Sequence, residues 1–413
     1  MNKLVNSNSF VIFILFVSFL IKMSLLHFIP QELAETYKWE IFNQNYHENL
    51  SYSYFFKNSG LIEFSNYTPL LFPIIMYPLT QISQILFILF QILCSVIASY
   101  LLFLVTKKIF NKKIALIFLF IFCFFPLNIY YSIQFTSINL FIFLFSFYLL
   151  ILLDLLKKNI NLINIFFFNL LSVLCILTRF EFVLIYLFTI FYLIFVDILK
   201  IKKIILSFLI IFTLTSPLML RNLHIHGNLI FIGNNLGINF WTGWYEPNVS
   251  NRKNTYSIQN DGTSSLLSSE VNEKILKLPT DNWETNLNNI YYKEAINNIK
   301  KNIINIPILF IKRIFSQTFW FIDHDYPRAN NLLFTITWLF IILNFLQYSF
   351  RNFKKVFSKK EKHIEKIIYV YLFYYLVFFS SFLVIPSCRL FLLPLVSILA
   401  SENIYYLYKK FNF

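Results

Sequence analysis

Ten stretches of about 20 apolar residues run along this chain with little charge inside them, and they restrict its fold more than any other feature. A segment of that length spans a bilayer as a helix, because the lipid core contains no water to satisfy exposed backbone groups. The chain is 58% hydrophobic and 13% charged, whereas soluble domains are about a quarter charged, which excludes a soluble globule or a disordered chain. We therefore predict an all-α polytopic membrane protein. The predicted spans are 9–29, 82–105, 114–131, 135–154, 162–178, 182–199, 204–220, 331–350, 367–385 and 389–408.

The basic residues predict the orientation of these spans. They concentrate in alternate connections, which the positive-inside rule assigns to the cytoplasm. We therefore place both termini in the cytoplasm and the protein in the plasma (inner) membrane, with 9–29 kept as an anchor and not removed as a signal peptide. The cytoplasmic basic groups are Lys107/Lys108/Lys112/Lys113, Lys157/Lys158, Lys200/Lys202/Lys203, the run from Arg351 to Lys366, and Lys409/Lys410.

Two long segments, 30–81 and 222–330, then fall on the outer side. The domain prediction is a transmembrane core over 1–221 that includes the outer loop 30–81, an extracytoplasmic segment over 222–330, and C-terminal helices over 331–413. Within the second segment, isoleucines interrupted by Lys312 and Arg313 predict an amphipathic helix lying in the interface over 289–321.

Composition excludes several other classes of site. The net charge of +15 follows from the cytoplasmic flanks and does not indicate nucleic-acid binding. With 6 Gly in the chain, a glycine-rich phosphate-binding loop is not expected. The four cysteines lie in or beside apolar runs without metal-ligand spacing, and we interpret them as packing residues. They are Cys94, Cys123, Cys175 and Cys388.

Three arginines stand alone at the outer edge of the predicted bundle: Arg179, Arg221 and Arg389. A guanidinium group matches the oxygens of a phosphate, so a set of three on one membrane face favours binding of an anionic headgroup. Each arginine taken singly also fits interfacial snorkelling or an internal pair, such as Arg179 with Glu181.

Carboxylates in the first outer loop are candidate general bases, because desolvation near the bilayer raises the pKa of a carboxyl group. They are Glu32, Glu35, Glu40 and Glu48, and each one also fits an ordinary solvated loop acid. Asp323-His324-Asp325 and His224-x-His226 lack a third ligand at a suitable spacing, so no cofactor is predicted and a divalent metal stays an alternative.

An ordered set of short phrases resembles bacterial members of glycosyltransferase family 39, relatives of the dolichyl-phosphate-mannose protein mannosyltransferases and the lipid A aminoarabinose transferases. The resemblance covers residues from about 50 to about 400. The phrases are Tyr67-Thr68-Pro69, Phe125-Pro126 to Tyr131-Ser132, Leu177-Thr178-Arg179-Phe180-Glu181, Arg221-Asn222 to Gly227, Gly237-x-Asn239-x-Trp241-x-Gly243, and Arg389 to Pro394.

The resemblance implies a GT-C membrane glycosyltransferase that moves a sugar from a polyprenyl-phosphate carrier to an acceptor at the outer face. Family members carry an acid in the first outer loop with Tyr four residues later, which Glu48 and Tyr52 match. Glu48 is therefore the expected base, the arginine set the expected phosphate ligands, and Tyr52, Asn239 and Trp241 the expected substrate contacts. Trp241, Trp244 and Tyr245 also fit an aromatic belt at the interface.

Two departures from the family pattern leave alternatives open. Glu48 stands where Asp is usual and has no acidic neighbour, so Glu35 and Glu40 remain candidates for the base. Relatives often carry an acid near the start of the fourth span, where this chain has Thr136-Ser137-Ile138-Asn139. The competing functions are a flippase or transporter of lipid-linked sugars and a polysaccharide polymerase or ligase.

Overall fold

The computed structural model describes residues 8–26, 69, 71–157, 161–226, 229, 231, 236–244, 263–279, 283–319, 328–358, 363–381 and 388–411. These residues form α-helices joined by turns, with no strand among them. The helices are α1 (Asn8–Leu25), α2 (Leu71–Ile82), α3 (Gln84–Ile109), α4 (Lys112–Phe124), α5 (Pro126–Ser132), α6 (Ile138–Leu156), α7 (Leu162–Thr178), α8 (Phe182–Phe195), α9 (Ile201–His226), α10 (Leu236–Trp244), α11 (Ser269–Leu276), α12 (Trp283–Lys301), α13 (Ile306–Phe319), α14 (Arg328–Ser358), α15 (His363–Ser380) and α16 (Cys388–Phe411).

A helix lies at each of the ten positions predicted to span the membrane. Within the described ranges, six helices are long and apolar enough to cross a bilayer, or seven when α4 and α5 count as one bent span. Helices α7 and α8 are apolar but have only 17 and 14 residues. The chain is thus an all-α, multi-pass membrane protein, as predicted, while the number of ten spans stays a prediction.

The core of the bundle is a continuous apolar cluster around α3 and α6, which α4, α7, α15 and α16 surround. Many residues of α6 and α16 are buried, whereas most of α1 and α9 face outward. Cys94, Cys123 and Cys175 are buried free thiols, as packing residues would be. The outward apolar side chains on the peripheral helices are those expected to face lipid.

Helices α4 and α5 meet at a bend of 55° where Pro126 begins α5. Irregular backbone at membrane depth needs partners within the protein, and buried amides supply them here. Gln91 of α3 donates to the carbonyls of Gln134 (2.8 Å) and Thr136 (2.9 Å). Asn128 donates to the Phe122 carbonyl (2.9 Å), and Asn139 to the Tyr131 carbonyl (2.7 Å).

Polar contacts join the basic helix ends at one end of the bundle, which we call the lysine-rich end. Lys108 pairs with Asp154 at 2.8 Å, and the Tyr192 hydroxyl lies 3.0 Å from His363 Nδ1. Arg351 pairs with Glu402 and also donates to Asn403. The opposite end, which carries Arg179, Arg221 and Arg389, we call the arginine end.

A second, smaller apolar cluster is built by α10, α11 and α12, within the segment 222–330. It contains Ile238, Trp241, Ile275, Leu287, Tyr291 and Ala295. The tail predicted as a helix over 289–321 is interrupted at 302–305 by a short 3-10 turn and continues as α13. The division of the chain into 1–221, 222–330 and 331–413 stays a prediction.

Candidate functional site

Arg179 occupies the turn between α7 and α8. Its N–H donates to the Cys175 carbonyl at 2.7 Å, which caps α7 and leaves the guanidinium at the helix end. The Nη1 atom of Arg179 lies 3.8 Å from Glu181 Oε1, and Glu181 is 5% exposed. The internal pair that the sequence left open is therefore present.

The second residue of α16, Arg389, is 3% exposed. Its guanidinium carbon lies 6.0 Å from the centroid of the Trp338 ring. Trp338 is held in place because its Nε1–H donates to the Thr318 carbonyl at 2.8 Å. Burying an arginine at the first turn of a transmembrane helix is costly, so Arg389 is a candidate functional residue.

Arg179 lies next to α16, the helix that also carries Arg389. The guanidinium of Arg179 lies 5.0 Å from the centroid of the Phe391 ring, and Phe391 follows Arg389 by two residues on α16. Tyr375 of α15 stacks on Phe391, with the two ring centroids 5.9 Å apart. Both arginines therefore lie near the first turn of α16, Arg179 at the Phe391 ring and Arg389 at the Trp338 ring.

Arg221 lies near the C-terminal end of α9 and is half-buried. Its Nη1 donates to Asn222 Oδ1 at 2.7 Å, and Asn222 is fully buried. Helix α9 packs on α7, so Arg221 lies at the same end of the bundle as Arg179. Its participation in one site with the other two arginines stays a prediction.

Tyrosines of α15 complete this region, and sequence reasoning missed them. The Tyr374 hydroxyl donates to the Glu181 carbonyl at 2.7 Å and so fixes the turn that carries Arg179. One helical turn deeper, the Tyr371 hydroxyl contacts Thr189 and lies 3.1 Å from the Tyr148 hydroxyl. The only signal in the sequence was a pair of adjacent tyrosines in an apolar run.

The Gly-x-Asn-x-Trp-x-Gly phrase forms α10. Gly237 N–H donates to Asn288 Oδ1 at 2.6 Å, and a Cβ at Gly237 would lie 2.0 Å from the Asn288 carbonyl oxygen. Trp241 is 1% exposed and packs edge-on against Tyr291 at 4.8 Å. Asn239 is half-buried, and its carbonyl accepts from the Thr242 hydroxyl. The phrase thus places α10 against α12, while the substrate contacts expected for Asn239 and Trp241 stay predictions.

Arg313 of α13 connects the apolar cluster of α10, α11 and α12, which we call the outer cluster, to the membrane bundle. It is 3% exposed, and it donates to the Ser380 carbonyl at 3.0 Å and to the Gly243 carbonyl. Its guanidinium carbon lies 4.5 Å from the centroid of the Trp244 ring. Burial lowers the pKa of Arg313 to about 10, so the side chain stays charged at neutral pH. The last carbonyls of α10 and α15 are thereby satisfied by one cation.

Glu48 and Tyr52 lie outside the described residues, as do Glu32, Glu35 and Glu40. Asp323-His324-Asp325 does too. The described part of the chain holds no group of three or more His, Cys, Asp or Glu side chains placed to bind a metal ion. In the stretch 136–139, where the family resemblance implied an acid, Asn139 donates to the Tyr131 carbonyl at 2.7 Å.

No protein-family model matches this chain, and no curated protein matches it either. Two solved structures of an oligosaccharyltransferase from Archaeoglobus fulgidus are similar to it. One, the archaeal oligosaccharyltransferase AglB in complex with an inhibitory peptide and a dolichol-phosphate, gives a TM-score of 0.51 at 12% identity over 97% of this chain and 50% of that one. The other, in the apo form, gives 0.52 at 13% identity over 98% and 51%.

The chain spans about half the length of these oligosaccharyltransferases. At such identities the similarity is one of fold, and membership of glycosyltransferase family 39 stays a prediction. The fold of this chain is the GT-C-like bundle of membrane helices.

Proposed function

We propose that this protein is a membrane glycosyltransferase that moves a sugar from a polyprenyl-phosphate carrier to an acceptor hydroxyl at the outer face. The observation that carries the proposal is that Arg179 and Arg389 both lie near the first turn of α16, at the arginine end of a GT-C-like bundle. Two guanidinium groups at the edge of the membrane match the phosphate of a carrier whose tail stays in the lipid.

The reaction follows from the charges involved. A carboxylate, which we assign to Glu48, takes the proton of the acceptor hydroxyl, and the oxygen attacks C1 of the sugar. The bond from C1 to the carrier phosphate breaks on the opposite side, so the anomeric configuration is inverted. The departing phosphate gains negative charge, which Arg179 and Arg389 stabilise, with Arg221 as a third expected contact. Tyr52 and Asn239 are the expected contacts of the sugar or acceptor.

Two observations support a lipid phosphate as the sugar donor. One structural neighbour binds a dolichol-phosphate, which is a polyprenyl phosphate. The site also lies among apolar helices with outward-facing phenylalanines and leucines, where a polyprenyl chain packs at no cost in desolvation. We propose that the transferred group is a hexose or pentose and that the acceptor is a lipid, a glycan or a protein.

The test is to give the purified full-length chain a panel of polyprenyl-phosphate sugars and to measure release of the carrier phosphate and labelling of acceptors. We expect Glu48→Gln to lower turnover by about 10²–10⁴-fold. Arg179→Gln and Arg389→Gln should each lower it by about 10²–10³-fold. The thermal unfolding of each variant shows whether it still folds.

Arg351→Gln is the matched control, because Arg351 is also a half-buried, paired arginine but lies at the lysine-rich end. It should leave turnover unchanged. Normal turnover in a folded Glu48→Gln protein would move the base to Glu35 or Glu40. Normal turnover in both arginine variants would overturn the proposed phosphate site.

The competing function is transport of a lipid-linked sugar, and one observation favours it. Lys22 of α1 is fully buried, and its Nζ donates to Ser95 Oγ at 2.6 Å. Ionisable groups inside spans are typical of transporters. In vesicles reconstituted with the protein and a labelled polyprenyl-phosphate sugar, a transporter moves the intact donor across the membrane, whereas a transferase releases the carrier phosphate. A polymerase or ligase would instead require a diphosphate-linked donor.

A further inference from the structure

A cavity opens at the lysine-rich end of the bundle, away from the arginine end. Its volume is about 320 Å³, at the lower limit of ligand pockets and near the size of a headgroup. The C-terminal ends of α3 and α6 and the N-terminal end of α15 form its walls. None of the residues discussed for the transfer reaction lines it.

The rim of the cavity carries two lysines, Lys108 of α3 and Lys157 at the end of α6. Lys108 is about one-third exposed and pairs with Asp154 at 2.8 Å, so its ammonium group is partly neutralised. Lys157 is exposed and ends α6 by donating its N–H to the Leu153 carbonyl. Ammonium groups at the rim of an apolar cavity are suited to bind a phosphate.

The acidic and neutral polar groups of the cavity are already bonded. Glu365 is 4% exposed and accepts from the Tyr348 hydroxyl. His363 Nδ1 lies 3.0 Å from the Tyr192 hydroxyl. Of the lysines and acids that line the cavity, Lys108 and Lys157 are the exposed ones, whereas Glu365 is buried.

The inner wall is apolar. Leu153 and Leu156 of α6 are buried, and Ile109 and Phe110 close the end of α3. Phe110 is fixed by an edge-on contact with the Tyr348 ring at 6.3 Å. A basic rim above an apolar wall between membrane helices is the arrangement that binds anionic lipid headgroups.

The chain adds further positive charge in the sequence next to the lining residues. Lys158 follows Lys157 directly, and Lys359, Lys360 and Lys362 precede His363. Glu361 is the one acid in that run. The local excess of positive charge favours an anionic ligand over a neutral one.

We propose that this cavity binds the phosphate headgroup of an anionic phospholipid, with the phosphate at Lys108 and Lys157 and the first part of the acyl chains against Leu153 and Leu156. The site is separate from the proposed transfer site at the arginine end. It would hold the ends of α3, α6 and α15 together through a lipid of the surrounding leaflet.

The test is native mass spectrometry of the purified full-length chain in neutral detergent, titrated with phosphatidylglycerol, phosphatidylcholine or inorganic phosphate. We expect the protein to retain one phosphatidylglycerol in preference to phosphatidylcholine. Near a membrane surface each lysine contributes about 1 kcal/mol, so Lys108→Gln with Lys157→Gln should weaken binding by about 30-fold. Lys354→Gln with Lys355→Gln is the matched control, because both lysines are exposed on α14 outside the cavity. It should leave the affinity unchanged.

A third variant separates a lipid from a free phosphate. Leu156→Trp keeps both lysines but narrows the apolar wall, and it should weaken retention of phosphatidylglycerol without changing the response to inorganic phosphate. Equal retention of the two phospholipids, or equal losses in both double variants, would overturn the proposal. Binding of inorganic phosphate as tightly as phosphatidylglycerol would show that the lipid is not the ligand. Because the readout contains no sugar donor, its failure leaves the proposed transferase activity untouched, and the reverse also holds.

Discussion

At the scale of single residues, Arg313 shows how one side chain can determine where a whole segment lies. The sequence predicted that it lies, with Lys312, on an amphipathic helix in the interface. In the structure, Lys312 is exposed and Arg313 lies on the buried side of α13. Ile304, Ile308 and Ile311 are exposed. The pattern of charges on α13 did not show this, because the partners of Arg313 lie 67 and 70 residues away in the chain.

Arg313→Met should therefore destabilise the contact between the outer cluster and the bundle. A hydrogen bond to a charged group contributes about 1.5–3 kcal/mol, and two carbonyls lose their donor, so we expect a loss of about 3 kcal/mol or more. Hydrogen exchange over 236–244 measures the effect. Lys312→Met on the same helix is the control and should leave that exchange slow.

Gly237 has an equally specific role. Gly237→Ala would place a methyl group against the Asn288 backbone, so α10 and α12 must move apart. Overpacking of this kind costs about 1–3 kcal/mol, which a thermal melt of the purified protein detects. The neighbouring Leu236→Ala, at a position 44% exposed, should change the melting temperature little. An unchanged melt for Gly237→Ala would mean that the close approach of these helices is not required.

At the scale of helices, the sequence predicted the positions of the apolar segments because each of them must bury or shield its own backbone in lipid. It did not predict the bend between α4 and α5, nor that α2 is a separate helix before α3. Both depend on distant groups. Gln91, which holds the connection after α5, lies 43 residues before the carbonyl it contacts.

The candidate site, too, was predicted from sequence only in part. Arg179 and Arg389 were found from sequence because a charge between two apolar spans is conspicuous. The position of Arg179 at Phe391, that of Arg389 at Trp338, and the support from the tyrosines of α15 depend on the packing of distant helices. From sequence, Trp241 also fitted an aromatic belt, whereas its burial and its contact with Tyr291 show that it packs inside the outer cluster.

The buried amides around the α4–α5 bend give a prediction at Asn139, in the stretch where the family resemblance implied an acid. Asn139→Asp would remove the donor to the Tyr131 carbonyl and place a carboxylate at a position 1% exposed. We expect a loss of about 2–4 kcal/mol in stability. Thermal unfolding measures this loss.

Asn111→Asp makes the same chemical change at the exposed N-cap of α4, where Asp caps about as well as Asn. It is the matched control and should unfold at the temperature of the unmodified protein. If the two variants unfolded at the same temperature, Asn139 would not be holding the connection.

At the scale of the whole molecule, the lysine-rich and arginine ends face opposite sides of the membrane, and the orientation prediction assigns the arginine end to the outside. The test starts from a chain in which the four cysteines are replaced by alanine. Single cysteines are then introduced as Ser257→Cys and Ser358→Cys. A membrane-impermeant maleimide should label position 257 in intact cells and position 358 only after permeabilisation. The reverse pattern would place the proposed transfer reaction on the cytoplasmic side.

The short length of α8 has a consequence for how the proposed lipid donor would reach the arginines. Its 14 residues, at a rise of 1.5 Å each, cover about 21 Å, whereas the hydrocarbon layer is about 30 Å thick. A bilayer meeting so short a helix thins locally. The surrounding leaflet would then dip toward the turn that carries Arg179, and a carrier diffusing sideways would arrive with its phosphate already at the height of the guanidinium group. The donor could then reach the site while its polyprenyl tail stays in the membrane.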